Sequence, residues 1–402
     1  MRIALIADAF PPMRTSGAVQ LRDLAAELLR QGHQPTVLVP SFEIHQPWLL
    51  DHVEGVEVVR LKAPRTKDVS YVRRTLAEFL MPFAMLYRLR STPVADVRWD
   101  GVVWYSPTIF LGPIANALKK ASGCSGYLIV RDIFPEWAVD MGLLKRGVPY
   151  RFFKAIERHQ YRVANIIGVQ TPANLPYFSN WSSAAGRRLE VLQNWLATAP
   201  DAGCSISVAA GPLAGRRIFV YAGNMGVAQG MDILIDLAKR LQHRRDIGFL
   251  FVGRGSDVTR LRHAALTQGL SNLAFEDEID PREIPGLYAQ CHVGMVALDP
   301  RHKTHNIPGK FLSYMQSGLP VLANINPGND LAQLIAREDV GRASTSHSLD
   351  TLEMLAIELV DSLDTDSRVA DRCRALAARL FSPEGAVSQI VNALSAASAA
   401  RT

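Results

Sequence analysis

Residues 3–39, IALIADAFPPMRTSGAVQLRDLAAELLRQGHQPTVLV, decide the fold. Two short apolar runs, IALIA at 3–7 and TVLV at 36–39, have the composition of buried strands. Between them, from Val19 to Arg30, apolar residues recur at helical spacing and stop at Gly32-His33. Strand, helix and strand at this spacing make a βαβ unit. Further buried-strand candidates follow at 56–61, 101–104, 127–130 and 166–169, which predicts a parallel α/β sheet for the first half. After Asn194-Trp195 the stretch DAGCSISVAAGPLAG carries almost no charge or periodicity, as a linker would. The second half repeats the rhythm with IFVYAG, FLFVG, LAFEDEI, VGMVAL and PVLAN, separated by helical segments. The expected division is therefore a first domain over 1–195, a linker over 196–215, a second domain over 216–382 and a C-terminal helix over 383–402 that returns to the first domain. Both domains are expected to be doubly wound, with ligands beyond the carboxyl ends of the strands and in a cleft between the halves.

Composition agrees with this division. At about 150 residues per domain, 402 residues suit two cores. A hydrophobic share of 48% with 20% charged residues excludes a disordered, collagenous or coiled-coil chain. Cys124, Cys204, Cys291 and Cys373 form no CxxC pair, so neither a disulfide framework nor a thiolate zinc site is signalled, and a reducing cytoplasm fits. The N-terminal apolar run is interrupted by Asp8 and lacks a small-residue cleavage site, so it is expected to stay as a first strand. No stretch reaches the roughly 18 apolar residues of a spanning helix. Residues 1–200 carry eight more basic than acidic residues and 201–402 two more acidic than basic, so the first half should face an anionic partner.

Three turns carry the chemistry. YAGNMGVAQG sets Gly223, Gly226 and Gly230 between a strand and a helix, where the backbone can approach a phosphate and a helix N-terminus offers free N–H groups. A plain strand-to-helix turn would use the same glycines. VGRGS at 252–256 repeats the arrangement and adds Arg254, a fork suited to a pyrophosphate. In HNIPGKFLSYMQSGLPVLA, residues 305–323, Pro308-Gly309 starts a helix whose first turn holds Lys310. A cation there opposes the helix dipole unless an anion binds nearby, which favours a phosphate role over a solvated face. In the first half, Asp132 follows the strand YLIVR at a carboxyl end, where the alternatives are a functional carboxylate and a helix N-cap.

Nearly end to end, the chain resembles retaining glycosyltransferases of the GT-B fold and the family 4 type. It is most similar to bacterial O-antigen and capsule N-acetyl-fucosaminyl transferases. The matching segments are FPPMRTSGAVQLRDLAAELLRQGHQPTVLV, VRDIFPEWAVDMGLL, LQNW, YAGNMGVAQGMD, VGRG and IPGKFLSYMQSGLPVLA. The resemblance implies two Rossmann-like domains facing across a cleft. It also implies a UDP-sugar donor on the second domain, a lipid-linked glycan acceptor on the first, and no cofactor. Asp132, Lys310 and His305 take the catalytic positions. Gly17 and Arg14 on the first half, and Gly223, Asn224, Gln229, Gly230, Arg254, Asn306, Gly309 and Ser313 on the second, take the substrate-binding ones. Two departures stand out. Where the wider family often has two glutamates eight positions apart, this chain has His305 and Ser313. Where many relatives place Arg and Lys in the 221–232 turn, it has Asn224 and Gln229, which leaves Lys310 and Arg254 to neutralise the diphosphate.

His33 and His159 read as structural, and Asp364-Thr365-Asp366 as a polar turn, so no metal site is expected. From Val69 to Arg90 the apolar residues Val72, Leu76, Leu80, Phe83 and Tyr87 recur at helical spacing among arginines, with a possible break at Pro82. Such a helix either turns its apolar face into the core or meets a membrane, and the basic first half tilts the reading toward peripheral contact with the inner face of the cell membrane. The competing readings are a GT-B nucleotide-sugar epimerase, which wants paired carboxylates or histidines not evident here, and an inactive nucleotide-sugar-binding subunit. Diffuse charge without aromatic-basic interleaving argues against nucleic acid.

Overall fold

The computed structural model describes residues 1–13, 15–200, 202–300 and 306–400. The chain divides into unit 1, Met1–Trp195 with Pro383–Thr402, and unit 2, Leu196–Ser382. Unit 1 contains β1 (Arg2–Ile6), β2 (Gln34–Ser41), β3 (Trp48–Val53), β4 (Val56–Lys62), β5 (Gly101–Ser106), β6 (Ser125–Val130), β7 (Ile166–Val169) and β8 (Arg188–Val191). They form one sheet in the order β3-β4-β2-β1-β5-β6-β7-β8. Unit 2 contains β9 (Arg217–Ala222), β10 (Ile247–Val252), β11 (Leu273–Glu276), β12 (Val293–Ala297), β13 (Val321–Asn324) and β14 (Gly341–Ser344), in the order β11-β10-β9-β12-β13-β14. Each is a Rossmann-like sheet. Strand order reverses between β1 and β5 and between β9 and β12, and these switch points are where such sheets leave room for a ligand.

The strands follow from their burial. β5, β6 and β10 are buried at every residue, as expected of parallel strands covered on both faces. Along β1, Ala4 and Ile6 enter one core cluster while Ile3 and Leu5 enter the cluster on the other face. One strand departs from the all-parallel expectation: β3 pairs antiparallel with β4. Glu54 and Gly55 turn the chain there with φ of 51° and 81°, the signs a tight hairpin turn needs.

The segment 196–215, read from its composition as a linker, is held on unit 2. Leu196, Cys204, Ile206 and Val208 pack on that unit's core. Val208 N donates to Gln290 Oε1 at 2.9 Å, and a Cβ on Gly286 would come within 2.5 Å of the Gly203 carbonyl oxygen. Low charge and absent periodicity marked irregular backbone, not a free tether. The C-terminal helix Pro383–Ala399 counts with unit 1, burying Val387, Ile390 and Leu394 in the cluster that holds Ile3 and Leu5. Leu394 sits so close to β5 that a Cβ on Gly101 would lie 2.7 Å from its Cδ1.

Helix Tyr71–Leu89 runs unbroken through Pro82. Its core face is Ala77, Met81, Met85 and Leu89, whereas the residues singled out by spacing, Val72, Leu76, Leu80, Phe83 and Tyr87, are exposed. Of the two alternatives for that stripe, packing into the core is not what the structure shows: the helix has two apolar faces, and a different one is buried.

All six tryptophans, Trp48, Trp99, Trp104, Trp137, Trp181 and Trp195, lie in unit 1, so their fluorescence reports that unit alone. Leu394→Ala should destabilise the fluorescence-detected urea transition by about 2–5 kcal/mol, the usual range for truncating a buried leucine. A transition matching the parent's would show that the helix contributes nothing to unit 1.

Candidate functional site

In unit 2 the turns after β9 and β10 lock together through their backbones. Met225 N donates to the Arg254 carbonyl at 2.7 Å and Gly223 N to that of Val252 at 2.9 Å. The fit excludes side chains: a Cβ on Gly253 would lie 2.1 Å from the Gly223 oxygen, and one on Gly255 2.1 Å from the Met225 oxygen. Both glycines also hold φ near +140° or beyond, at 140° and 151°, where other residues are strained. Their role is thus close packing of one turn on the other. Gly230 continues the arrangement to the switch point, since a Cβ there would sit 3.1 Å from Asp299 Cα just beyond β12.

Gln229 and Asn224 brace this turn. Gln229 Oε1 accepts from Gly226 N at 3.0 Å and from Asn224 Nδ2 at 3.1 Å. The amide oxygen is thereby spent within the loop, so Gln229 shapes the backbone where a lysine would offer charge. Lys310 lies in the first turn of helix Gly309–Ser317. Its Nζ lies 3.2 Å from the centroid of the Tyr221 ring and 3.9 Å from where a Gly223 Cβ would stand. Tyr221 is fully buried, with its hydroxyl donating to the Asn224 carbonyl at 2.7 Å. Burial pushes the Lys310 amine well below its ordinary range, while the π face of Tyr221 favours the cation. The Lys310 ammonium has no hydrogen-bond or ion-pair partner among the described residues.

The other residues of this set fall in different situations. Arg254 lies beside the same turn, but its guanidinium is exposed and reaches Glu278 at 3.2 Å. The Ser313 hydroxyl donates back to its own helix, to the Gly309 and Lys310 carbonyls at 3.3 and 3.2 Å. The Asn306 Oδ1 is buried without a partner among the described residues. His305 and Arg14 lie outside the described residues. Asp364 meets Arg217 in an ion pair, and no group of three metal-ligating side chains occurs among the described residues.

Unit 1 gathers an acidic site at its own switch point. The Tyr105 hydroxyl, at the end of β5, donates to Gln20 Oε1 at 2.6 Å. Burial raises its pKa, and the carboxylates of Asp132 and Asp8 raise it further while Arg131 opposes them. Gly17 lies against this tyrosine, where a Cβ would meet Cε1 at 3.2 Å. Arg131 is held by stacking 4.6 Å over the Trp195 ring and by donating to the Leu192 carbonyl at 2.7 Å. Trp195 in turn donates from Nε1 to the Gln20 carbonyl at 2.7 Å, so the LQNW motif anchors the strand end that carries Asp132. Lys154 bridges Glu136 at 2.9 Å and the buried Glu157 at 2.8 Å, tying the segment after Asp132 to helix Val148–Val163.

Two sets of residues escaped the reading of the sequence. Asp8 ends the β1 run as Asp132 ends the β6 run, and burial holds its carboxyl above the ordinary range. The strand-end argument made for Asp132 applies equally to it. After β13, Asn324, Asn326 and Asn329 are buried together with unpartnered amide atoms, and Asn324 Nδ2 lies 2.9 Å from His347 Nδ1. The run NINPGN directly after a strand was the available signal.

Residues 216–358 match the family model "Glycosyl transferases group 1". The chain is 25% identical over 328 residues to "Probable glycosyltransferase WbjE" of Pseudomonas aeruginosa, covering 78% of this chain and 75% of that protein. It is likewise 25% identical to "Putative colanic acid biosynthesis glycosyl transferase WcaI" of Escherichia coli (strain K12), covering 73% and 76%. Among solved structures, Anabaena Alr3699/HepE in complex with UDP and glucose superposes with a TM-score of 0.69 at 16% identity, over 98% of this chain and 100% of that one. With two Rossmann-like units and these structural neighbours, the chain has the GT-B fold, and residues 216–358 of it are similar to the glycosyl transferases of group 1.

Proposed function

We propose that this protein transfers a sugar, an N-acetylated or 6-deoxy amino sugar, from a UDP-sugar to a lipid-linked glycan during assembly of a surface polysaccharide, with retention at the anomeric carbon. The observation that carries this reading is Lys310. A cation without an anionic partner among the described residues sits on the Tyr221 ring beside the locked glycine turns of unit 2. Its ammonium and the main-chain N–H groups at the start of helix Gly309–Ser317 suit a diphosphate. The bound UDP of the HepE structure and the colanic-acid role in the name of WcaI support the donor and the pathway class.

In the proposed reaction the bond from the anomeric carbon to the diphosphate breaks as the bond to the acceptor oxygen forms. The acceptor's hydroxyl proton passes to the departing diphosphate, whose growing charge Lys310 offsets. A bound diphosphate also returns the depressed Lys310 pKa toward its ordinary range. Asp8 and Asp132, beside Tyr105 in unit 1, accept hydrogen bonds from acceptor hydroxyls. No resident metal is invoked.

Lys310→Met should lower kcat/KM on the order of 10²–10³-fold, by analogy with loss of one oxyanion donor. It should also weaken UDP binding in calorimetry and raise the melting temperature of the free protein, because a desolvated cation is gone. Parent-like kinetics in this variant would refute the assignment. Turnover should persist in EDTA, and an absolute requirement for added manganese would overturn the metal-free reading.

A separate test concerns Asp8. The folded state keeps its proton to a higher pH than the unfolded chain does, so unit 1 loses stability as pH rises from about 3.9 through the raised value. Asp8→Asn should therefore raise the melting temperature read by tryptophan fluorescence at neutral pH, have little effect near pH 3, and lower transfer. An unchanged stability profile would remove Asp8 from the site.

A further inference from the structure

Helix Tyr71–Leu89 leaves a large apolar face uncovered. At about 100° per residue, Phe79, Val72, Phe83, Leu76, Tyr87 and Leu80 fall within an arc of about 100° on the side away from buried Ala77, Met81 and Met85. Val72 is 80% exposed, Tyr87 64% and Leu76 58%. The patch extends onto a second element. The Phe79 ring lies 6.0 Å from Phe152 of helix Val148–Val163, and Val148, one turn before Phe152, is 80% exposed. Soluble proteins rarely leave so many large apolar side chains together in water without a partner.

Charge says what the partner is. Arg73, Arg90 and Arg151 are exposed around this face with no ion-pair partner among the described residues. Arg88 lies 5.0 Å over the Tyr87 ring. Glu78, the carboxylate on this helix, is engaged by Arg74 at 2.8 Å. A second copy of the chain docking on this face about a two-fold axis would bring these arginines against their own equivalents. An anionic bilayer answers both features, taking the apolar side chains at the acyl boundary and the guanidinium groups among its phosphates. No helix of the described residues is long and apolar enough to cross a membrane, so the element lies on the surface.

We propose that the face formed by helix Tyr71–Leu89 and the start of helix Val148–Val163 docks unit 1 reversibly on an anionic lipid bilayer. The proposal bears on the lipid-linked acceptor proposed above, and its test reads binding apart from transfer. The full-length protein is sedimented with phosphatidylcholine vesicles and with vesicles that also contain phosphatidylglycerol, at low and high salt. The parent should bind the anionic vesicles and be released by salt. Leu76→Gln with Phe83→Gln should abolish binding, and Arg73→Glu with Arg90→Glu should weaken it by at least about fivefold for each arginine lost. These positions are exposed, so tryptophan fluorescence and UDP titration of the variants should match the parent. Transfer to a short soluble acceptor should be unchanged while transfer to a long-chain lipid acceptor falls.

Failure of the parent to bind anionic vesicles, or parent-like binding by both double variants, overturns the proposal. So does parent self-association in sedimentation velocity that the glutamine variant abolishes without any change in vesicle binding, which would assign the face to a second copy. Loss of turnover on the soluble acceptor by the parent itself would count against the glycosyl-transfer reading and leave the vesicle result standing.

Discussion

No side chain fits between the two glycine turns at the carboxyl ends of β9 and β10. With Cβ atoms on Gly253 and Gly255 only 2.1 Å from carbonyl oxygens of the neighbouring turn, the loops could not close, and the hydrogen bond from Met225 to Arg254 would be lost. Everything proposed for unit 2 depends on that closure. It positions the Asn224 carbonyl to hold the Tyr221 hydroxyl, and the Tyr221 ring is the floor beneath Lys310. A flexible lysine on an open loop would lose side-chain freedom each time it met a phosphate. Here the ring already holds the ammonium in place, so part of that entropic cost is met in folding. The absence of Arg and Lys from the 221–232 turn also makes sense, because Gln229 is engaged in shaping the loop.

Unit 1 solves a different problem, the placement of a carboxylate, that of Asp8, where burial disfavours its charge. Asp8 and Asp132 end neighbouring parts of one sheet, and both act on the Tyr105 hydroxyl. Lys67 and Arg74 act on Asp8, and Arg131 lies close enough to Asp132 for their charges to interact. Arg131 is fixed by the Trp195 ring and by the Leu192 carbonyl. A cation set on an aromatic face recurs in the two units, by Arg131 on Trp195, where main-chain oxygens also hold it, and by Lys310 on Tyr221. In each case the charge remains able to act on an anion without a carboxylate of its own.

Helix Tyr71–Leu89 shows how one element serves two surfaces. Its Met and Ala stripe fills the core beneath β4 and β5, while its Phe, Leu and Val stripe remains outside with an arginine fringe. A helix that only closed the core would need one stripe. The second adds an exposed apolar surface that solubility alone would select against.

The sequence by itself determined the succession of the central strands and helices, though not β3, β8 or β14, and with it the two Rossmann-like halves and the three turns near the second switch point. Those features are local: a glycine after an apolar run, or a lysine behind Pro-Gly, reports its own backbone. It also placed Lys310 in a first helical turn, as the structure does. Only the tertiary structure decided which face of helix Tyr71–Leu89 is covered, because apolar periodicity records the character of a face and not its neighbour. It likewise decided that 196–215 packs on unit 2 and that Gln229 turns inward. Asp8, Tyr105 and Arg131 are nearly a hundred residues apart or more in part of their pairings, and nothing in the chain between them signals contact. Parallel pairing of β1 with β5 and of β5 with β6 brings them together, and that pairing is settled by the burial of whole strands, not by any short motif.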